Sequence, residues 1–152
     1  MKRLVLVLMV CASPAWTAAA APGKWELGVD KESAGLALSS ANEMPLLECK
    51  IGKGVVSVTL HFKREIKVKA DGSIKTPMVI ASGTVTATVP AEAYLNGNYG
   101  GTDVAADIPA KAPVLAAFAR TGLLKRTALG EASGDPPTPI AMAARFVRVC
   151  GG

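Results

Sequence analysis

The chain has 152 residues, three cysteines, a single histidine and a formal net charge of +5. It opens with Lys2 and Arg3, an apolar run from Leu4 to Ala12 and a small-residue zone from Thr17 to Ala21. That order reads as a secretory signal peptide, with cleavage after Ala19 or Ala20; the run is too short to span a bilayer. Removing 20 of 152 residues leaves 132 for one exported domain, 21–152, and takes Lys+Arg from 17 to 15 against 12 acidic residues, so +5 becomes +3. A balance that mild does not argue for nucleic acid, and aromatics, at 5% of the chain, are scarce for base stacking. A lipoprotein signal acylated at Cys11 is the rival reading, but Val10 stands where such signals carry a small residue. No later stretch is long and apolar enough for a transmembrane span.

Signal removal takes Cys11 with it and leaves Cys49 and Cys150. In an exported chain a remaining pair is expected to form a disulfide. The loop closed spans about 100 residues, which chain entropy values at roughly 4–5 kcal/mol. The two show neither zinc spacing nor a C-x-x-C redox pair.

In chain order, Lys24 to Val29 alternates as a first strand, and Leu36 and Leu38 mark a return strand. Leu46 to Phe62 is a β-hairpin. Leu47, Cys49 and Ile51 oppose Leu46, Glu48 and Lys50 before Gly52-Lys53-Gly54; afterwards Val56, Val58, Leu60 and Phe62 fall on one face. Pro45 suits only a strand's beginning. Ile66 and Val68 alternate with Lys67 and Lys69 as another strand, and Asp71-Gly72 signals a two-residue hairpin. Lys75 to Ala81 and Thr84 to Val89 are strands around Ser82-Gly83, and Tyr94 to Gly101 is a loop. Thr102 to Ile108 places Val104, Ala106 and Ile108 inward, with Asp103 and Asp107 outward.

The period then changes. Pro113 opens a helix whose Val114, Leu115, Phe118 and Ala119 share a face, and Gly122 ends it in the left-handed conformation. Leu123 to Leu129 is a strand and Gly130 to Pro137 a surface loop. Thr138 reads as an N-cap with Pro139 first in a terminal helix, whose inward stripe is Ile140, Ala143, Ala144, Val147 and Cys150. Phe146 to Val149 also favours a strand. The pattern is α+β: a mainly antiparallel sandwich or half-barrel with a short internal helix and a C-terminal helix linked through Cys150 to an early strand.

Chemistry-bearing candidates are few. A nucleophile–base pair or histidine metal site would have to use His61, which the alternation places on an exposed polar face, and no G-x-S-x-G is present. Asp103 and Asp107 on one strand stand about 13 Å apart, too wide for a shared metal or a carboxylate pair, and read as solvated charges. No catalytic, metal or cofactor residue is assigned. Lys63, Arg64, Lys67, Lys69 and Lys75 offer a basic surface on neighbouring strands for an anionic partner; the plainer alternative is sheet solubility, since lysines also protect edge strands. Trp25, Tyr94 and Tyr99 are the aromatics to place in an interface.

Trp25, the Leu47-Glu48-Cys49 strand entry, the helix end FARTGLL and the terminal Phe146 to Cys150 together resemble the type VI secretion-associated periplasmic accessory family. The resemblance covers the framework of the mature chain and implies a non-catalytic envelope protein with a sandwich-like fold. The expected function is therefore surface binding in the periplasm or outside the cell, with an envelope protein or anionic envelope component as partner. The alternatives are an enzyme acting on envelope polysaccharide through carboxylates brought together by folding, and a lysozyme-inhibitor-like module, against which the positive charge counts.

Overall fold

The computed structural model describes residues 23–39, 45–68 and 72–152. The expected signal peptide with Cys11, and Lys69 and Asp71, lie outside them. Within the described residues the elements are β1 (Lys24–Val29), β2 (Ser33–Ser39), β3 (Pro45–Lys50), β4 (Val55–Phe62), β5 (Ser73–Ser82), β6 (Val85–Leu95), β7 (Thr102–Pro109), α1 (Pro113–Thr121), β8 (Lys125–Ala128), β9 (Glu131–Ala132) and α2 (Ile140–Gly151). The strands form one antiparallel sheet in the order β1-β2-β3-β4-β7-β6-β5-β8-β9, curled as a half-barrel around the two helices.

Alternation sets the faces. Leu47 and Cys49 of β3, Val56, Val58 and Leu60 of β4, Met78 and Ile80 of β5 and Val104, Ala106 and Ile108 of β7 are all buried on the inner face. Phe118 of α1 and Phe146 of α2 fill the hollow of the curl. The Cys49–Cys150 disulfide forms as expected, joining the end of α2 to β3 across 101 residues with Cα atoms 5.8 Å apart. The C-terminal segment is helix, not strand.

The curl is held by side chains where β4 and β8 have no ladder between them. Arg126 of β8 is buried, yet its guanidinium donates to the Thr59 carbonyl of β4 and to the Asp135 carboxylate. Burial lowers the proton affinity of Arg126, and the Asp135 charge and hydrogen bond oppose that effect. Nearby, Arg64 donates to Glu131 and to the Leu129 carbonyl, both at 2.9 Å, and lies over the Phe62 ring. Trp25 donates its indole N–H to the Pro136 carbonyl, so β1 is fastened to the loop before α2.

Several expectations are corrected. Residues 63–68 form no strand, so the alternation of Ile66 and Val68 has no ladder. The strands that pair with β5 are β6 along its whole length and β8 at Val79 to Ala81, so its hairpin partner is the segment that follows it and not the one before. The 96–101 loop also crowds the end of β4. At Gly101, with φ +81°, an added Cβ would lie 2.4 Å from the Phe62 carbonyl oxygen, so only glycine fits. Tyr94 and Leu95 belong to β6, not to the loop. Pro139, not Thr138, is the N-cap of α2, and no side chain caps that end; Thr138 is buried with its N–H on the Gly122 carbonyl. The inward stripe of α2 is Ala143, Phe146 and Cys150, whereas Ile140 is 56% exposed. Because the disulfide turns Cys150 inward, positions four and seven residues earlier follow it, and Phe146 offers the larger apolar area to bury.

Prolines decide where the sheet opens. Pro77 of β5 stands directly opposite Pro90 of β6. Two prolines cannot exchange N–H···O bonds, so this is a non-hydrogen-bonded pair, and the backbone nitrogen of each points away from the other strand. Pro90 therefore turns its donorless nitrogen toward β7, and Pro77 toward β8. The β6–β7 ladder covers only Glu92 to Leu95 against Thr102 to Ala105, and the β5–β8 ladder ends at Val79. Beyond Glu92 the strands β6 and β7 part as a fork.

Candidate functional site

Two arrangements on the outer face collect the polar side chains. The first is a row across three strands, because His61 pairs in register with Asp103 and Asp103 with Tyr94. The row buries Asp103 to 1% exposure, correcting its reading as a solvated charge; Asp107, four residues on, is exposed as expected. One Asp103 oxygen meets His61 Nδ1 at 2.7 Å, and the other accepts from the Asn96 side-chain amide at 2.8 Å. A buried carboxylate needs such donors on both oxygens to offset its lost hydration. His61 is correspondingly half-buried and paired, not a free surface residue.

Asn96 extends the network into the loop. Its side-chain oxygen accepts the N–H groups of Asn98 and Tyr99, while its backbone bonds Gly100 and Gly101. The segment YLNGNYGG is thus a built turn, with Tyr99 49% exposed at its tip. Burial, and secondarily the Asp103 charge, raise the Tyr94 phenol above its ordinary range. An aspartate on Nδ1 orients an imidazole and leaves Nε2 outward, as in hydrolytic triads. Among the described residues no hydroxyl or thiol hydrogen-bonds His61, and no three His, Cys, Asp or Glu side chains gather to hold a metal. The row acts as a brace for the turn.

The second arrangement is a groove of about 940 Å³ at the fork. Thr88, Pro90 and Glu92 of β6 run along it; Asp107 of β7 lies on one side, Lys75 of β5 on the other, and Tyr94 closes one end. Glu92 stands opposite Ala105 in register, so Asp107 is its diagonal neighbour on the same face. Both carboxylates are exposed. The sequence pattern marked Asp107, Lys75 and Tyr94 separately but gave no sign that Glu92 joins them, because the shared groove depends on where the ladder stops.

The expected basic surface is dispersed. Lys63 and Lys67 are exposed beyond the end of β4, Arg64 is engaged with Glu131, and Lys75 lies on β5, with β7 and β6 in between. Among the expected aromatics, Trp25 is packed against the loop before α2, Tyr94 lines the groove and Tyr99 is exposed at the tip of the 96–101 loop. No helix among the described residues is long and apolar enough to cross a membrane. No protein family, curated protein or solved structure matches this chain.

Proposed function

We propose that this chain is a non-catalytic bacterial envelope protein, periplasmic or secreted, that works as an accessory or interaction module by binding a partner in the groove at the β6–β7 fork. The groove carries the reading: it is open, lined by strand backbone as well as by Tyr94, Glu92, Asp107 and Lys75, and braced by the Asp103 network at its Tyr94 end. The polar groups best placed for chemistry, His61 with Asp103 and Arg126 with Asp135, are engaged in holding the fold. The Cys49–Cys150 bridge is compatible with an oxidising compartment such as the periplasm. Scattered lysines favour an envelope protein over an anionic polymer as the partner.

A polysaccharide-acting enzyme is the second reading, favoured by Glu92 and Asp107 sharing the groove. Both carboxylates stand in solvent, without the apolar burial that equips one of a pair as a general acid. A photo-crosslinking residue at Tyr94 of the exported chain, with one at Lys53 as control, tests the binding reading. A discrete protein adduct from Tyr94 alone supports it. Equal or absent adducts at both positions, together with cleavage of cell-wall polysaccharide abolished by Glu92→Gln, would replace it with the enzyme.

A further inference from the structure

The fork exposes strand backbone in mid-sheet, where a ladder would ordinarily continue. Since Pro90 turns its nitrogen toward β7, the alternate residues Thr86 and Thr88 turn their N–H and C=O groups the same way. Across the fork Asp107 and Pro109 face β6, because Val104, Ala106 and Ile108 direct their backbone groups to β4. Among the described residues no strand pairs with Thr86 or Thr88 on that side, nor with Asp107 on its β6 side. The β6 edge therefore offers two donors, with acceptors from Thr86, Thr88 and Pro90, spaced as an extended backbone would meet them.

Resting on the groove as the binding site, the geometry points to its ligand: an extended segment of a partner polypeptide that adds as a strand along β6 at Thr86 to Pro90 and carries a basic side chain toward Glu92 and Asp107. A repeating main-chain pattern is what a strand edge recognises, and side chains beside it supply the preference. Two exposed carboxylates face a single ammonium, Lys75, so the local charge favours a cationic residue on the guest. The prolines suit the edge to an intermolecular role: Pro90 and Pro109 each lack the donor that would let β6 and β7 zip together and close the fork.

The probe is a dye-labelled peptide of alternating threonine and valine with lysine at each end, titrated by anisotropy against the oxidised mature chain. Two N-methylated twins carry methyls on alternate amides. Strand addition requires one twin to bind at least tenfold more weakly and the other to bind like the parent. Thr88→Pro removes one edge donor while leaving the β5–β6 ladder intact, and it lowers affinity at least tenfold; Asp107→Lys does the same through charge. Far-ultraviolet circular dichroism confirms that both variants fold. Equal binding by the twins, or no binding by the parent peptide at millimolar concentration, overturns the inference. Self-association of the chain that Thr88→Pro abolishes also overturns it, because the occupant is then a second copy. If the peptide fails while Asp107→Lys still erases the Tyr94 adduct, the groove remains a binding site and only the strand ligand falls.

Discussion

Replacing Asp135 with alanine should destabilise the protein more than replacing Arg126, its partner, with methionine. The Arg126 side chain is 3% exposed and that of Asp135 is 19% exposed. Asp135→Ala leaves a guanidinium buried with the Thr59 carbonyl as its remaining acceptor, and with an Nε that has no partner even in the intact protein. Stranding a buried charge costs about 3 kcal/mol, the low end of the usual range because Asp135 itself is partly solvated. Arg126→Met removes the charge, fills similar volume and lets Asp135 turn to water. It leaves the Thr59 carbonyl without that donor, at about 1–2 kcal/mol. The double variant should then resemble Arg126→Met alone. Urea unfolding followed by the fluorescence of Trp25, whose indole is bonded to the same loop, measures all three. An Asp135→Ala cost below about 1 kcal/mol, or a larger cost for Arg126→Met, would refute the claim that an enclosed cation governs this junction.

Reducing the Cys49–Cys150 bridge, which spans 101 residues, should lower unfolding free energy by about 4–5 kcal/mol, seen as a drop in urea midpoint with reductant. Tyr94 should ionise above its ordinary value of 10.0. The fold favours the neutral phenol, so that contribution is full below pH 10.0 and is lost as pH rises through the folded-state value. Ultraviolet titration in a Tyr99→Phe background reads it. Asp103→Asn should move the midpoint only partway down, since burial, the larger cause, remains.

The Cys49 hairpin was legible because each of its signals is local: alternation, a glycine turn and a proline confined to the strand's start. The helix over Pro113–Thr121 was legible for the same reason, and Gly122 adopts the left-handed conformation at its end with φ +67°. The Ile66 to Lys69 alternation looked equally good, but alternation makes no ladder by itself, and β5 pairs with β6 and β8, both from later in the chain. Asp103 looked like Asp107 in sequence. Its burial arises from His61, 42 residues before it, and from a loop that folds back over it.

Sequence by itself determined which residues alternate, where the period shifts from strand to helix, and which two cysteines meet. The first two follow from backbone geometry, and the third from the expectation that Cys11 belongs to a signal peptide, which leaves one pair. Tertiary structure alone decided that β7 and β6 lie between β4 and β5, that Arg126 crosses the interior, and that Glu92 and Asp107 share a groove. Strand order, enclosure and the unpaired edge at the fork depend on which distant segments compete for the same ladder, and a local pattern carries no record of that competition.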